Sequence, residues 1–81
     1  MHFPVVFSLK VVGTVEAKLE PIILSALKKH KVDTKHTRIS ERFSTGWKYV
    51  SFTVTFMAKS QAQLDDIYRE LSSNPLVIIV I

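Results

Sequence analysis

Apolar and polar side chains alternate with a period of two through residues 45–57, a pattern that predicts a half-buried β-strand. One row of this strand is apolar and would face a core; it consists of Val50, Phe52, Val54 and Phe56. The other row is small, polar and aromatic and would form an open face; it consists of Trp47, Tyr49, Ser51, Thr53 and Thr55. Such a face can serve as a binding platform.

Three further segments are predicted to be strands. Residues 5–12 alternate until Gly13, and residues 33–43 combine β-branched with charged side chains, which is typical of an exposed edge strand. The turn-forming residues 44–46 would join that edge strand to the alternating strand as an antiparallel hairpin. Residues 76–81 are apolar throughout, and we expect a strand that is buried on both faces.

Two segments carry the periodicity of amphipathic helices. From about Glu16 to His30 apolar residues recur at helical spacing, with acidic side chains early and basic side chains late, as the helix dipole favours. Pro21 is compatible only with the first turn of this helix or with a kink. The second helix would follow a capping box of Ser60 and Gln63, and its apolar positions are Leu64, Ile67, Tyr68 and Leu71.

The predicted order of elements is β-α-β-β-α-β. Right-handed crossovers then place both helices on one face of a four-stranded antiparallel sheet with strand order 4-1-3-2. We therefore expect an α+β protein with the ferredoxin-like fold, forming a single domain over residues 1–81. In this order the polar second strand lies at an edge, as its composition requires.

The composition indicates the cellular compartment in which the protein is expected. The chain contains no cysteine, which removes disulfides, thiolate nucleophiles and thiolate metal sites and fits a reducing cytoplasm. No apolar run approaches the roughly 18 residues that a membrane span needs. The first residues also lack the charged start and apolar run of a signal peptide. A cytoplasmic protein with no membrane partner is expected.

The ionisable residues do not form a pattern with catalytic chemistry. His2, His30 and His36 share no metal-ligand spacing, and Asp65 and Asp66 are neighbours on one exposed helical face. The sequence has no glycine-rich phosphate loop. We therefore expect a non-enzymatic protein with no catalytic residues, no metal and no cofactor.

The net charge of +4 is concentrated in one segment. Residues 28–48 carry seven basic side chains and two acidic ones, so +5 lies in this segment and −1 in the rest of the chain. Two interpretations are open. The cations could bind an anionic partner such as nucleic acid, a nucleotide or an acidic protein surface. They could equally protect an exposed strand edge and maintain solubility.

Residues 45–52 overlap much of the signature of the RNA-recognition motif, on the third strand, where that motif carries it. The order of elements is also that of the motif. Trp47 and Tyr49 would stack on bases, and Lys10 and Arg38 would supply positive charge. Single-stranded nucleic-acid binding on the open face is therefore the alternative function.

Three residues depart from that signature. Thr45 stands where a basic side chain is usual, and Lys48 replaces a small residue. Phe7 belongs to the inward row of the first strand, although the motif needs an outward aromatic residue there.

Motifs along nearly the whole chain resemble the YbeD-like family of small bacterial proteins. They are Phe3-Pro4, Lys10-Val-Val-Gly13, His30, residues 44–51 with Gly46 and Tyr49, residues 50–55, and Ile67-Tyr-Arg-Glu-Leu71. The resemblance implies a ferredoxin-like domain that is similar to ACT regulatory domains, and a family with no established biochemical activity.

Similarity to ACT domains implies a sensor that pairs with a second copy and binds an amino acid near the first strand–helix loop. Gly13 alone matches the loop pattern of those domains, so Gly13 and Thr14 are the candidate ligand-binding residues. The leading hypothesis is a regulatory or adaptor domain that binds a small metabolite there, or a protein on the open face or a sheet edge. The second or the final strand would accept strand addition from a partner or a second copy.

Overall fold

The computed structural model describes residues 2–81 and confirms the predicted order of elements and the ferredoxin-like fold. The strands form one antiparallel sheet in the order β2-β3-β1-β4, which is the predicted order 4-1-3-2. The elements are β1 (Val5–Thr14), α1 (Leu19–Lys29), a 3₁₀ turn (Thr34–His36), β2 (Arg38–Phe43), β3 (Tyr49–Ala58), α2 (Gln61–Ser72) and β4 (Val77–Val80).

The two central strands, β1 and β3, organise the core. They pair without interruption from Val5 opposite Ala58 to Thr14 opposite Tyr49. This register puts every second side chain of each strand towards the helices, and the helices cover that side. The predicted inward row of β3 is confirmed, because its four residues are each at most 4% exposed: Val50, Phe52, Val54 and Phe56.

Helix α1 begins later than predicted, at Leu19 and not near Glu16. The preceding residues form a turn in which the N–H of Ala17 donates to the carbonyl of Thr14 at 3.1 Å. Pro21 therefore falls in the first turn of α1, one of the two positions that the sequence allowed.

The predicted strand over residues 33–43 was too long, since β2 begins only at Arg38. Local bonds to Asp33 hold the preceding residues in the 3₁₀ turn. Its side chain accepts from the N–H of Lys35 at 3.0 Å, and its carbonyl accepts from the hydroxyl of Thr37 at 2.9 Å. Short polar side chains often compete with strand pairing in this way.

Only one of the two hydrogen bonds of the predicted capping box of α2 is formed. The hydroxyl of Ser60 accepts from the N–H of Gln63 at 3.1 Å, as expected. The Gln63 side chain instead accepts from the N–H of Lys59 at 2.7 Å and donates to the carbonyl of His30 at 2.8 Å. The start of α2 is thereby fastened to the end of α1.

The prediction that the final strand is buried on both faces was wrong. β4 lies at a sheet edge, and only Val77 in it is buried, whereas Ile78 is 56% and Ile79 is 49% exposed. The physical reason is the single layer of helices, which covers one face of the sheet and leaves the other open.

Candidate functional site

A groove of about 360 Å³ lies between β2, β3 and the start of α1, and we call it the α1–β2 groove. The connection from β1 to α1 and the first turn of α1 form one wall, and the helix-facing sides of β2 and β3 form the other. Its lining residues are Val15, Ala17, Lys18, Leu19, Glu20, Pro21, Glu41, Phe43, Val50 and Phe52.

The floor of the groove is apolar and its rim carries both signs of charge. Val50 and Phe52 are buried, while Phe43 is 38% exposed. The charged lining residues are Lys18, Glu20 and Glu41, and none of them takes part in any side-chain hydrogen bond or ion pair found among residues 2–81. These charges are therefore available to a ligand.

Glu41 reaches the groove because of its place in β2. Ile39, Glu41 and Phe43 are paired with the buried residues of β3, so they share the helix-facing row. A carboxylate in an otherwise apolar row was visible in the sequence as an exception to the alternation of residues 38–43. The sequence pattern of this segment predicts only a charged edge strand, so Glu41 is not among the predicted site residues.

The two predicted ligand-binding residues lie beside the groove and not in its lining. Gly13 and Thr14 still belong to β1, opposite Val50 and Tyr49. Gly13 is buried, and a Cβ placed on it would come within 2.5 Å of Leu19 Cδ1. The lining begins one residue later, at Val15. Gly13 thus lets α1 approach the sheet closely, and a role in ligand binding stays a prediction.

The open face of the sheet carries three cations in adjacent cross-strand rows. Arg38 lies across from Thr55, Lys10 from Thr53, and Arg42 from Ser51. No acidic side chain lies in the outward rows of β1, β2 and β3, which consist of Val6, Ser8, Lys10, Val12, Thr14, Arg38, Ser40, Arg42, Tyr49, Ser51, Thr53, Thr55 and Met57. The structure adds Arg42 to the predicted pair of Lys10 and Arg38.

The predicted position of Trp47 on the open face was wrong. Trp47 lies in the β2–β3 turn with a left-handed φ of 59°, which interrupts the alternation before β3 begins at Tyr49. Its ring packs on Phe43, with centroids 4.8 Å apart, and Phe43 belongs to the helix-facing row. Tyr49 does lie in the outward row, with Lys48 Nζ 5.5 Å from its ring centroid. Phe7 points inward as predicted and packs edge-on against Phe56.

The basic segment of residues 28–48 is divided among separate surfaces. Lys28 and Lys29 end α1 in the helix layer, whereas Arg38 and Arg42 lie on the opposite side of the sheet. The seven cations therefore do not form one continuous patch. Those on the open face form a separate group.

Outside the groove, two histidine side chains are paired with carboxylates. His30 Nε2 lies 2.9 Å from Glu70 Oε1, and Lys29 Nζ lies 3.2 Å from the same oxygen. These bonds, led by that from His30, lower the pKa of the Glu70 carboxyl and join the two helices. The exposed His36 likewise lowers the pKa of Asp33, 2.7 Å away.

In the described part of the chain, no three His, Cys, Asp or Glu side chains are grouped so that they could hold a metal ion. Between residues 2 and 81 the structure also has no helix with the length and apolar character needed to cross a membrane.

Comparison with solved structures places the molecule in the class of ferredoxin-like α+β domains. Protein HP0495 from H. pylori superposes with a TM-score of 0.82 at 16% identity, covering 100% of this chain and 85% of that one. The C-terminal domain of MgtC from Mycobacterium tuberculosis gives a TM-score of 0.64 at 15% identity, covering 100% and 88%. At such low identities the likeness concerns the fold alone.

The particular family follows from sequence. Residues 1–81 match the family described as "Protein of unknown function (DUF493)", and the chain belongs to this family. A UPF0250 protein of Neisseria meningitidis is 38% identical over 81 residues, covering 100% of this chain and 89% of the relative. One from Janthinobacterium sp. is 38% identical over 77 residues, covering 95% and 85%. The YbeD-like resemblance is confirmed, and no catalytic activity is assigned to these relatives.

Proposed function

We propose that this protein is a non-enzymatic, cytoplasmic regulatory domain that binds a small zwitterionic metabolite in the α1–β2 groove. The observation that carries the proposal is Glu41, an unpaired carboxylate in the helix-facing row beside an apolar floor. A ligand ammonium group can pair with this carboxylate, and such charge-assisted hydrogen bonds are stronger than neutral ones.

The rest of the groove supports a ligand with three parts. Lys18, at the N-terminal end of α1, offers a cation to a ligand carboxylate. Phe43 and Phe52 offer an apolar surface to an aliphatic side chain. The volume of about 360 Å³ is at the lower end of the range for small-molecule sites, which suits a free amino acid. The YbeD-like resemblance implies a similarity to ACT regulatory domains, and that expectation favours the same class of ligand.

A titration of the labelled protein with L-leucine tests this proposal. We expect saturable amide shifts in residues 15, 17–20, 41 and 43, because these residues line the groove. Glu41→Gln should weaken binding about tenfold or more, since a hydrogen bond to a charged group contributes about 1.5–3 kcal/mol. Glu16→Gln is the matched control, because Glu16 is exposed and lies outside the lining.

Two comparison ligands separate recognition of each charge. Leucinamide lacks the carboxylate, and 4-methylpentanoate lacks the ammonium group. Only the ligands that keep the ammonium group should lose affinity when Glu41 is replaced. The proposal would be contradicted if millimolar leucine caused no amide shifts. It would also be contradicted if Glu41→Gln and Glu16→Gln bound leucine with equal affinity.

The open face supports a second candidate function, the binding of single-stranded nucleic acid. The supporting observation is the group of Lys10, Arg38 and Arg42 in a set of rows without acidic side chains, next to the outward Tyr49. If all three cations contact phosphates, the logarithm of the affinity for a short mixed RNA should fall with a slope of about −2 against the logarithm of the salt concentration.

The variant Arg38→Gln/Arg42→Gln tests this second function. Removing two phosphate contacts should lower the salt slope by about 1.4. The matched control is Lys28→Gln/Lys29→Gln, which removes the same charge from α1 on the other side of the sheet. A salt slope that falls equally in both double variants would reject the open face as the binding surface.

A further inference from the structure

The two edges of the sheet differ in chemistry. β2 forms one edge, and its charged residues Arg38, Glu41 and Arg42 are of the kind that blocks pairing between sheets. β4 forms the other edge, and residues 76–81 contain no charged residue, no proline and no glycine. Four side chains of this segment are 49–64% exposed: Leu76, Ile78, Ile79 and Ile81. An exposed aliphatic edge without protective charges is a template for strand addition.

We propose that β4 is the interface at which two copies of this chain pair edge to edge, antiparallel and related by a two-fold axis. The two four-stranded sheets would then form one continuous eight-stranded sheet. This surface lies on the edge opposite β2, so the proposal is independent of the ligand in the α1–β2 groove.

The backbone register of β4 leaves groups free for a partner strand. Lys10 and Ile81 exchange both of their backbone hydrogen bonds, each 2.8 Å long. Val80 lies across from Val11 as the neighbouring pair. In an antiparallel ladder hydrogen-bonded and non-bonded pairs alternate, so the N–H and C=O of Val80 point away from β1. A strand added to β4 would satisfy them.

Charge and symmetry favour β4 with β4 among the ways in which two copies could pair. Pairing β2 with β2 would bring rows that contain Arg38 and Arg42 together, and like charges on facing strands repel. Pairing β4 with β2 of another copy is heterologous and leaves an open edge at each end, which leads to filaments. Pairing β4 with β4 brings together only aliphatic side chains and closes after two copies.

The cations nearest to β4 do not oppose this pairing. Lys10 lies on β1, one strand in from the edge. The two β1 strands of the pair would be three strand spacings apart, roughly 14 Å. This distance exceeds the Debye length of about 8 Å at physiological salt, so the repulsion between the two Lys10 side chains is screened.

A two-fold axis near Ile79 gives a specific geometry. Because the backbone groups of Ile79 point towards β1, Ile79 and its copy would form a non-hydrogen-bonded pair with Cα atoms about 4.5 Å apart. This separation lies within the range that a disulfide spans. The chain has no cysteine, so a single introduced cysteine can form a disulfide only between two copies.

Disulfide formation by Ile79→Cys is the first test. Mild oxidation should convert most of this variant to a covalent dimer at micromolar concentration. Met57→Cys is the matched control, because Met57 is also 49% exposed and lies on the same open face, but on the inner strand β3. We expect dimer from Met57→Cys to form at least tenfold more slowly. Equal rates for the two variants would overturn the proposal.

Sedimentation of the unmodified protein, which contains no cysteine, is the second test. The unmodified chain should show a mass that rises with concentration towards that of a dimer. Ile79→Lys should raise the dissociation constant at least tenfold, because it sets two like charges opposite each other. Met57→Lys should leave the constant unchanged. A protein that stays monomeric at millimolar concentration, or one that Ile79→Lys does not affect, would overturn the proposal.

Discussion

Phe56→Ala is expected to destabilise the protein by about 3–5 kcal/mol, the range for removing a phenylalanine from a packed core. Phe56 is 1% exposed and lies at one end of a group of three aromatic rings. Its ring meets Phe7 edge-on at 6.4 Å, and Phe7 meets Tyr68 in the same way at 6.3 Å. An 81-residue domain is stable by roughly 4–12 kcal/mol in total, so this variant should lie near the limit of folding.

Thermal unfolding followed by circular dichroism measures the effect. A loss of 1 kcal/mol lowers the Tm of a domain this size by about 4–8 °C, so Phe56→Ala should lower it by about 12 °C or more. Phe43→Ala is the control, since it makes the same change at the β2 edge, where the ring is 38% exposed and packs on Trp47. We expect about 1–2 kcal/mol there. Equal losses at the two positions would contradict the assignment of Phe56 to the core.

The elements that the sequence predicted well are those with one buried face. β3 and β1 each alternate because the helices cover one side of the sheet and solvent covers the other, so the period of two is physically enforced. The strand order followed from the handedness of the crossovers and from the polar composition of β2, and neither depends on details of packing.

The failures have local causes that periodicity does not report. Trp47 takes a left-handed backbone conformation that few residues other than glycine adopt, so the row of outward side chains starts two residues later than the pattern suggested. The hydroxyl of Ser44 accepts from the N–H of Tyr49 at 2.9 Å and fixes this turn. A bond between side chain and backbone of this kind decides where a strand begins.

The sequence could not predict the α1–β2 groove, because three segments that are far apart along the chain form it. Residues 15, 17–21, 41, 43, 50 and 52 contribute its lining, and only the packing of α1 on the sheet sets the space between them. Gly13 lies at the same end of the sheet as the groove, but the sequence could not show that this buried glycine faces Leu19.

Gly13→Ala is expected to destabilise the protein by about 1–3 kcal/mol, the usual cost of overpacking a core. The backbone of Gly13 does not lie in the left-handed region, so alanine is allowed there and would by itself reduce the entropy of the unfolded chain. The steric term opposes this gain and should dominate. The new Cβ would lie 2.5 Å from Leu19 Cδ1 and 3.0 Å from the carbonyl oxygen of Leu76, and Leu19 is completely buried.

A double-mutant cycle with Leu19→Ala identifies the cause, with chemical denaturation giving each free energy of unfolding. Leu19→Ala removes Cδ1, the atom closest to the new Cβ, so in that background Gly13→Ala should cost at least about 1 kcal/mol less. Gly46→Ala is the control, because Gly46 has a φ of 84° and open space around it. Its cost of about 1–2 kcal/mol comes from the backbone alone and should not change with Leu19. Additive effects of Gly13→Ala and Leu19→Ala would mean that Gly13 is not needed for the approach of α1, and a role in ligand binding would again be the better explanation for this glycine.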